Sequence, residues 1–233
     1  METLKSNSQR AKNAIILIWI VLGVETLAFI SGYMQYSLLK SVGYGELISH
    51  EEAANNDIRE RVITFLYMIV FIISAITFIM WFRRAYFNLH LKIRPLLFSE
   101  GWAAGSWFVP IICLFRPYQI MKELFIETEA FLKRKNVETE DLFAVNRLGL
   151  WWTLWIITNL VAQFTTRYTL EAKSLDEYTF VTMVSMVNNV MGVPLAIVTI
   201  NIIKQYSRAE VLLAELREEV QNFTPVDWNI SDV

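Results

Sequence analysis

A single cysteine, Cys113, in 233 residues excludes an internal disulfide and any multi-thiolate metal site. The two histidines, His50 and His90, lie far apart, so a zinc motif of the H-E-x-x-H kind is absent. No metal and no other cofactor is expected. The formal net charge of -2 leaves no global basic field, which argues against a nucleic-acid partner. Walker, Rossmann and G-x-S-x-G fingerprints are missing. No cysteine–histidine or serine–lysine arrangement can be placed at one depth, and an enzyme is not expected. Internal repeats are not evident. Lys5, Arg10 and Lys12 precede an apolar run in the manner of a signal peptide, but no small-x-small cleavage site follows it. The run reads as a retained helix.

What the sequence has in quantity is apolar surface. It is 55% hydrophobic and 19% charged, with a mean hydropathy of +0.37, the profile of an integral membrane protein. A hydrocarbon core of about 30 Å needs about 20 apolar residues in a helix. Four stretches qualify, at residues 14–38, 62–82, 148–166 and 179–203. The alternation of a β-barrel is absent. The fold class is therefore all-α, with four transmembrane helices in a single membrane domain over residues 1–206 and a tail over 207–233. Residues 119–135 and 207–221 carry rough apolar stripes with charges between them and read as amphipathic helices outside the bilayer. Ser49 and Glu52 fit a capping box that starts a helix running into the second span.

Basic residues set the orientation. Sixteen Lys and Arg fall before the first span, between the second and third, or after the fourth, against five in the two remaining loops. Both termini and the long central connection are expected in the cytoplasm. The central connection contains GWAAGSWFVPIICLFRPY, residues 101–118, whose first fifteen residues carry no charge. A full crossing here would flip everything after it, and would put Lys133, Arg134 and Lys135 outside. A dip that enters and returns keeps every basic cluster inside, and a stretch of ~10–14 apolar residues suits a re-entrant segment. The other reading is a surface-lying segment anchored by Trp102 and Trp107. Pro110 breaks any helix near the middle. Gly101 and Gly105 lie one turn apart and permit close approach to another helix. A dip demands that Pro110 be shielded from lipid and that Arg116 lie near Arg84 and Asn88.

The residues that follow the second span form a longer pattern. WFRRAYFNLH at 81–90 contains Trp81, Arg84, Ala85 and Asn88. Then come Gly101, Trp102, Gly105, Trp107, Phe108, Pro110, Arg116, Pro117, Tyr118 and Gln119, and a paired tryptophan, Trp151 and Trp152, opens the third span. The order resembles a bacterial membrane family catalogued as domain of unknown function 4328, over about residues 62–207. Many members of that family have Asn near the place of Cys113. The resemblance implies a multi-pass protein of the bacterial inner membrane, and implies no mechanism.

Three groups of residues invite a function. Glu25 lies near the centre of the first span, where an ionised carboxylate costs several kcal/mol unless paired, hydrated or protonated. Asn159 and Gln163 on the third span, and Asn188 and Asn189 on the fourth, are candidate partners. Ser185, Asn188 and Asn189 share much of one helix face and either line a polar pathway or hold helices together. Arg84, Asn88 and Arg116 are a candidate anion or lipid-headgroup site, while Arg83 reads as ordinary anchoring. Two functions follow. One is an ion or small-solute pathway, built by a homo-oligomer around Glu25. The other is a membrane scaffold or regulator that binds a cytoplasmic protein or anionic lipid of the bilayer.

Overall fold

The computed structural model describes residues 4–93, 95–137, 139 and 145–216. Among these residues are six α-helices and no strands. They are α1 (Ser8–Gly43), α2 (His50–Lys92), α3 (Trp102–Gly105), α4 (Arg116–Arg134), α5 (Val145–Glu171) and α6 (Leu175–Glu215). The expected cap is present at the start of α2, where Ser49 Oγ accepts the Glu52 N–H at 3.1 Å. The sequence S-L-D-E places a fuller box at α6. There Glu177 N–H donates to Ser174 Oγ at 3.3 Å and Ser174 N–H donates back to Glu177 Oε2 at 3.0 Å.

Three helices, α1, α2 and α6, are long and apolar enough to cross a membrane. With 36, 43 and 41 residues they outrun a bilayer core. At 1.5 Å per residue they extend ~54 Å or more. Their charged ends therefore project beyond it. Phe65, Phe71, Ile72, Ile73 and Ile76 of α2 are all exposed, a surface that lipid covers and water would not tolerate. The expected third span, on α5, falls short of the other three, because Asn159 and Gln163 and three tryptophans dilute its apolar run. It nonetheless runs the length of the bundle beside α6. Trp151 at one end meets Phe78 of α2 at 6.1 Å, and Tyr168 near the other meets Phe180 of α6 at 5.7 Å.

The packed core lies toward one end of the bundle, where the basic residues collect. Trp81, Phe82, Tyr86 and Leu89 of α2, Ile120, Leu124 and Phe125 of α4, Leu148 of α5 and Ile203 and Tyr206 of α6 are all fully buried there. Phe125 and Tyr206 meet at 5.7 Å. At the opposite end α1 and α2 are clasped by polar groups. Arg59 Nε donates to Ser31 Oγ at 2.8 Å, Ser31 donates to Glu60, and the Arg59 guanidinium donates to Asn56 Oδ1 at 2.6 Å.

Of the stripe expected on residues 207–221, Leu212 and Leu216 pack on the cluster of Phe131, Leu132, Ala209 and Leu213. Helix α6 continues without a break past residue 206, and its buried face is Ile203, Tyr206, Glu210 and Leu213, while Val211 is exposed. Residues 217–233 of the expected tail lie outside the described residues.

The apolar stretch from Gly101 is neither a spanning helix nor one continuous element. After the short α3, a turn leads to a 3-10 helix at Ile112–Leu114. Trp107 packs on Phe78 (5.8 Å), Phe82 (6.5 Å), Trp152 (6.1 Å) and Trp155 (5.6 Å). Trp152 Nε1 donates to the Leu114 carbonyl at 3.0 Å. The segment thus folds back beside the last turns of the second apolar run. Two expectations fail here. A Cβ on Gly101 or Gly105 would meet nothing within 4 Å, so neither glycine serves close helix approach. Pro110 is exposed rather than covered by this chain. Ile112 N–H donates to the Pro110 carbonyl at 2.8 Å, and Ile111 between them has φ of 67°. This is a γ-turn of the strained, positive-φ kind at a β-branched residue.

Candidate functional site

Four basic side chains and one carboxylate gather at a cleft of about 200 Å³ lined by Lys5, Arg10, Arg83, Arg84, Phe87 and Glu100. Three chain segments build it. Residues before and at the start of α1 supply Lys5 and Arg10. The last turns of α2, just past the second apolar run, supply Arg83, Arg84 and Phe87. The connection to α3 supplies Glu100. Lys5 Nζ stands 4.5 Å from the centre of the Phe87 ring and the Arg84 guanidinium 5.8 Å from it, so one aromatic ring holds two cations in place. Arg10 is fixed by donating to the Met80 carbonyl at 3.0 Å. Burial, and then the charges of Arg84 and Arg83, hold its guanidinium below the usual range. Glu100 bridges to Arg83 at 3.4 Å.

Behind the cleft lies a buried polar knot. Asn88 Nδ2 donates to Glu210 Oε1 at 2.6 Å and to the Lys5 carbonyl at 2.8 Å, while Asn88 Oδ1 accepts the Lys5 N–H at 3.1 Å. Asn7 Nδ2 donates to Glu210 Oε2 at 3.0 Å and to the Trp81 carbonyl at 3.3 Å. Asn7, Asn88 and Glu210 are all buried. Burial raises the Glu210 carboxyl above the ordinary range; the amide bonds from Asn88 and Asn7, and the charge of Arg84, work against that. The knot ties the first described residues to the ends of α2 and α6.

Arg84, Asn88 and Arg116 therefore do not form one site. Arg84 lines the cleft, Asn88 faces inward to Glu210, and Arg116 stands elsewhere. Its guanidinium lies 4.5 Å from the Phe98 ring centre, 5.9 Å from that of Trp102 and 5.8 Å from that of Phe115. Arg116 pins α3 and the start of α4 through aromatic faces. A second buried carboxylate, Glu123, accepts the Leu97 N–H at 2.6 Å and lies 2.6 Å from the Tyr86 hydroxyl. Burial and Glu123 push the Tyr86 phenol up from its ordinary value. The apolar face of α4 is covered by this chain, and Glu123 is part of it.

Glu25 meets none of its four expected amide partners. Tyr67 of α2 donates to Glu25 Oε1 at 3.3 Å. On the other side is Gly192 of α6, where an added Cβ would collide with the Glu25 carboxylate. The carboxylate occupies the niche that the glycine leaves. Asn159 Nδ2 donates to its own helix at the Trp155 carbonyl, 2.7 Å away, and Gln163 is exposed. Ser185 and Asn189 are half-buried on α6, and Asn188 Oδ1 is buried with no hydrogen-bond partner among the described residues.

Residues 44–208 match a family described as a domain of unknown function (DUF4328). The chain belongs to that family. No curated protein and no solved structure matches it. The DUF4328 match takes in Arg83, Arg84, Asn88, Glu100 and Arg116. It does not reach Lys5, Asn7, Arg10 or Glu210, the residues that complete the cleft and the knot. The sequence alone points to Arg84 and Asn88 but misses these others. Glu210 falls four residues from Tyr206 and three from Leu213 on the buried stripe, but nothing local in the sequence marks that stripe as the buried one.

Proposed function

We propose that this DUF4328 protein is a four-span, non-enzymatic protein of the bacterial cytoplasmic membrane, and that it works as a scaffold or regulator by binding an anionic phosphate group at its cytoplasmic face. The observation that carries the reading is the convergence of Lys5, Arg10, Arg83 and Arg84 on one small cleft. Juxtamembrane cations attract anionic headgroups by about 1 kcal/mol each. A pocket that holds them in fixed positions adds directed hydrogen bonds to that attraction. The fourth crossing is supported by the knot. It joins the N-terminal end of α1 to the C-terminal ends of α2 and α6, so the chain must traverse the bundle once more between α2 and α6. Among the described residues, α5 is the helix available for that passage.

The test uses the purified full chain in neutral detergent. Short-chain phosphatidylglycerol and phosphatidylcholine are titrated against thermal unfolding. The anionic lipid should raise the melting temperature in a saturable way and the zwitterionic lipid should not. Lys5→Gln with Arg84→Gln should weaken the anionic effect about tenfold or more, the loss expected for one or two charge-assisted contacts. Equal shifts by both lipids would sink the proposal.

A second reading rests on Glu25. A carboxylate shared between α1, α2 and α6 inside the apolar zone suits a proton or cation pathway, with further protomers completing the walls. Reconstituted protein should then conduct protons or small cations, and Glu25→Gln should abolish the flux. Flux that persists in Glu25→Gln removes that residue from the mechanism.

A further inference from the structure

We infer that the basic cleft takes a phosphate monoester, with Glu100 as its resident competitor. This rests on the anion-binding reading above and sharpens it. The cleft holds four cations and one carboxylate. Among the described residues, Glu100 engages only Arg83, at 3.4 Å, and the two side chains are 40% and 57% exposed. Exposed pairs of this kind are weak. Among the described residues, Lys5, Arg10 and Arg84 have no ion pair. Burial and neighbouring guanidinium groups already crowd Arg10. An incoming anion therefore gives up little when it displaces Glu100, and it gains the cations that the carboxylate leaves unmatched.

The charge of the ligand follows from the same count. A phosphodiester brings one negative charge, no more than Glu100 supplies. A phosphate monoester carries about -1.5 to -2 near neutral pH and offers three free acceptor oxygens. Those oxygens can be shared among Arg83, Arg84 and the Lys5–Arg10 side of the cleft, with the bidentate geometry that guanidinium groups favour. Arg83 and Arg84 directly follow the second apolar run and Arg10 precedes the first, so the cleft sits at the depth of lipid phosphates. Phosphatidic acid presents this chemistry from the bilayer, and inorganic phosphate presents it from solution. Phe87 forms the wall on which Lys5 and Arg84 rest, which orders two of the four cations before any ligand arrives.

The experiment measures lipid and phosphate affinities of the full chain in neutral detergent. Short-chain phosphatidic acid, short-chain phosphatidylglycerol and inorganic phosphate are compared. Phosphatidic acid should bind about tenfold tighter than phosphatidylglycerol, or more, since the monoester adds a charged contact. Glu100→Gln should tighten phosphatidic acid binding about two- to fivefold, the worth of one exposed ion pair. Most of that gain should vanish in the Arg83→Gln background, where there is no pair to displace. Inorganic phosphate matching phosphatidic acid assigns the free ion as ligand; phosphatidic acid far ahead assigns the lipid. Either supports the monoester. Equal affinities for phosphatidic acid and phosphatidylglycerol overturn that assignment. An unchanged affinity in Glu100→Gln, or the same gain with and without Arg83, removes Glu100 as a competitor. No response of wild type to any anion overturns the anion-binding reading itself.

Discussion

Asn88 uses all of its hydrogen-bonding groups. Its two amide protons go to Glu210 and to the Lys5 carbonyl, and its oxygen takes the Lys5 N–H. Asn88→Leu keeps the volume and removes all three bonds. It would leave a buried carboxylate with fewer donors and the Lys5 backbone unmatched. We expect a loss of about 2–4 kcal/mol, measured by unfolding in detergent. The same site makes a pH dependence. The folded Glu210 carboxyl keeps its proton above the ordinary glutamate range, because burial penalises its charge. Between the unfolded and folded values the folded state binds a proton that the unfolded state has lost. The stability tied to this group is complete below the unfolded value and is lost as pH rises through the folded one. Wild type should therefore lose melting temperature across that window relative to Glu210→Gln, then run parallel to it at higher pH. Curves that stay parallel throughout would remove Glu210 as the titrating group.

The elements were legible in the sequence to different degrees. Long, mostly apolar runs marked α1, α2 and α6, and Ser49 with Glu52 marked the start of α2, because hydrophobic length and capping are local properties. The path of the segment after Gly101 was not local. Its course depends on Trp107 finding Phe78 and Trp155, residues far away in sequence. Charge parity argued against a full crossing but could not show that Arg116 would be held by Phe98 and Trp102 instead of joining Arg84. The candidate site suffered more. Lys5, Asn7 and Glu210 look like solvated residues of separate polar stretches, and only long-range folding makes them neighbours. Within the segment, Ile111 stores strain at φ of 67° while the residue is 74% exposed. Ile111→Gly gives up little packing and relieves a conformation that costs ~1–3 kcal/mol. Part of that is offset by about 1 kcal/mol from the freer unfolded chain. A net gain of about 1 kcal/mol is expected from thermal unfolding, with a loss arguing that the Ile111 side chain is held by something beyond this chain.

At the scale of the whole molecule, the decisive quantity is the number of crossings. Among the described residues, only α5 can return the chain from the basic end to the start of α6. In a Cys113→Ser background, Leu47→Cys and Lys173→Cys should react with a membrane-impermeant maleimide in intact cells whose outer membrane has been opened. Ser6→Cys and Asn136→Cys should react only after the inner membrane is permeabilised. All four native side chains are exposed in the folded chain, so reactivity reports sidedness. If Leu47→Cys labels and Lys173→Cys does not, α5 does not cross. The knot also sets an order of events during synthesis. Asn7 and Glu210 are separated by 203 positions, so the Asn7 amide waits for the synthesis of α6 before it is satisfied. Until then the ends of α1 and α2 carry open amides at the membrane surface. Chains that stop before residue 210 can never close them. A chain that has closed the knot thus differs from one that stops short of Glu210 in exposing these amides, and that difference is available to any quality-control protease that probes this face.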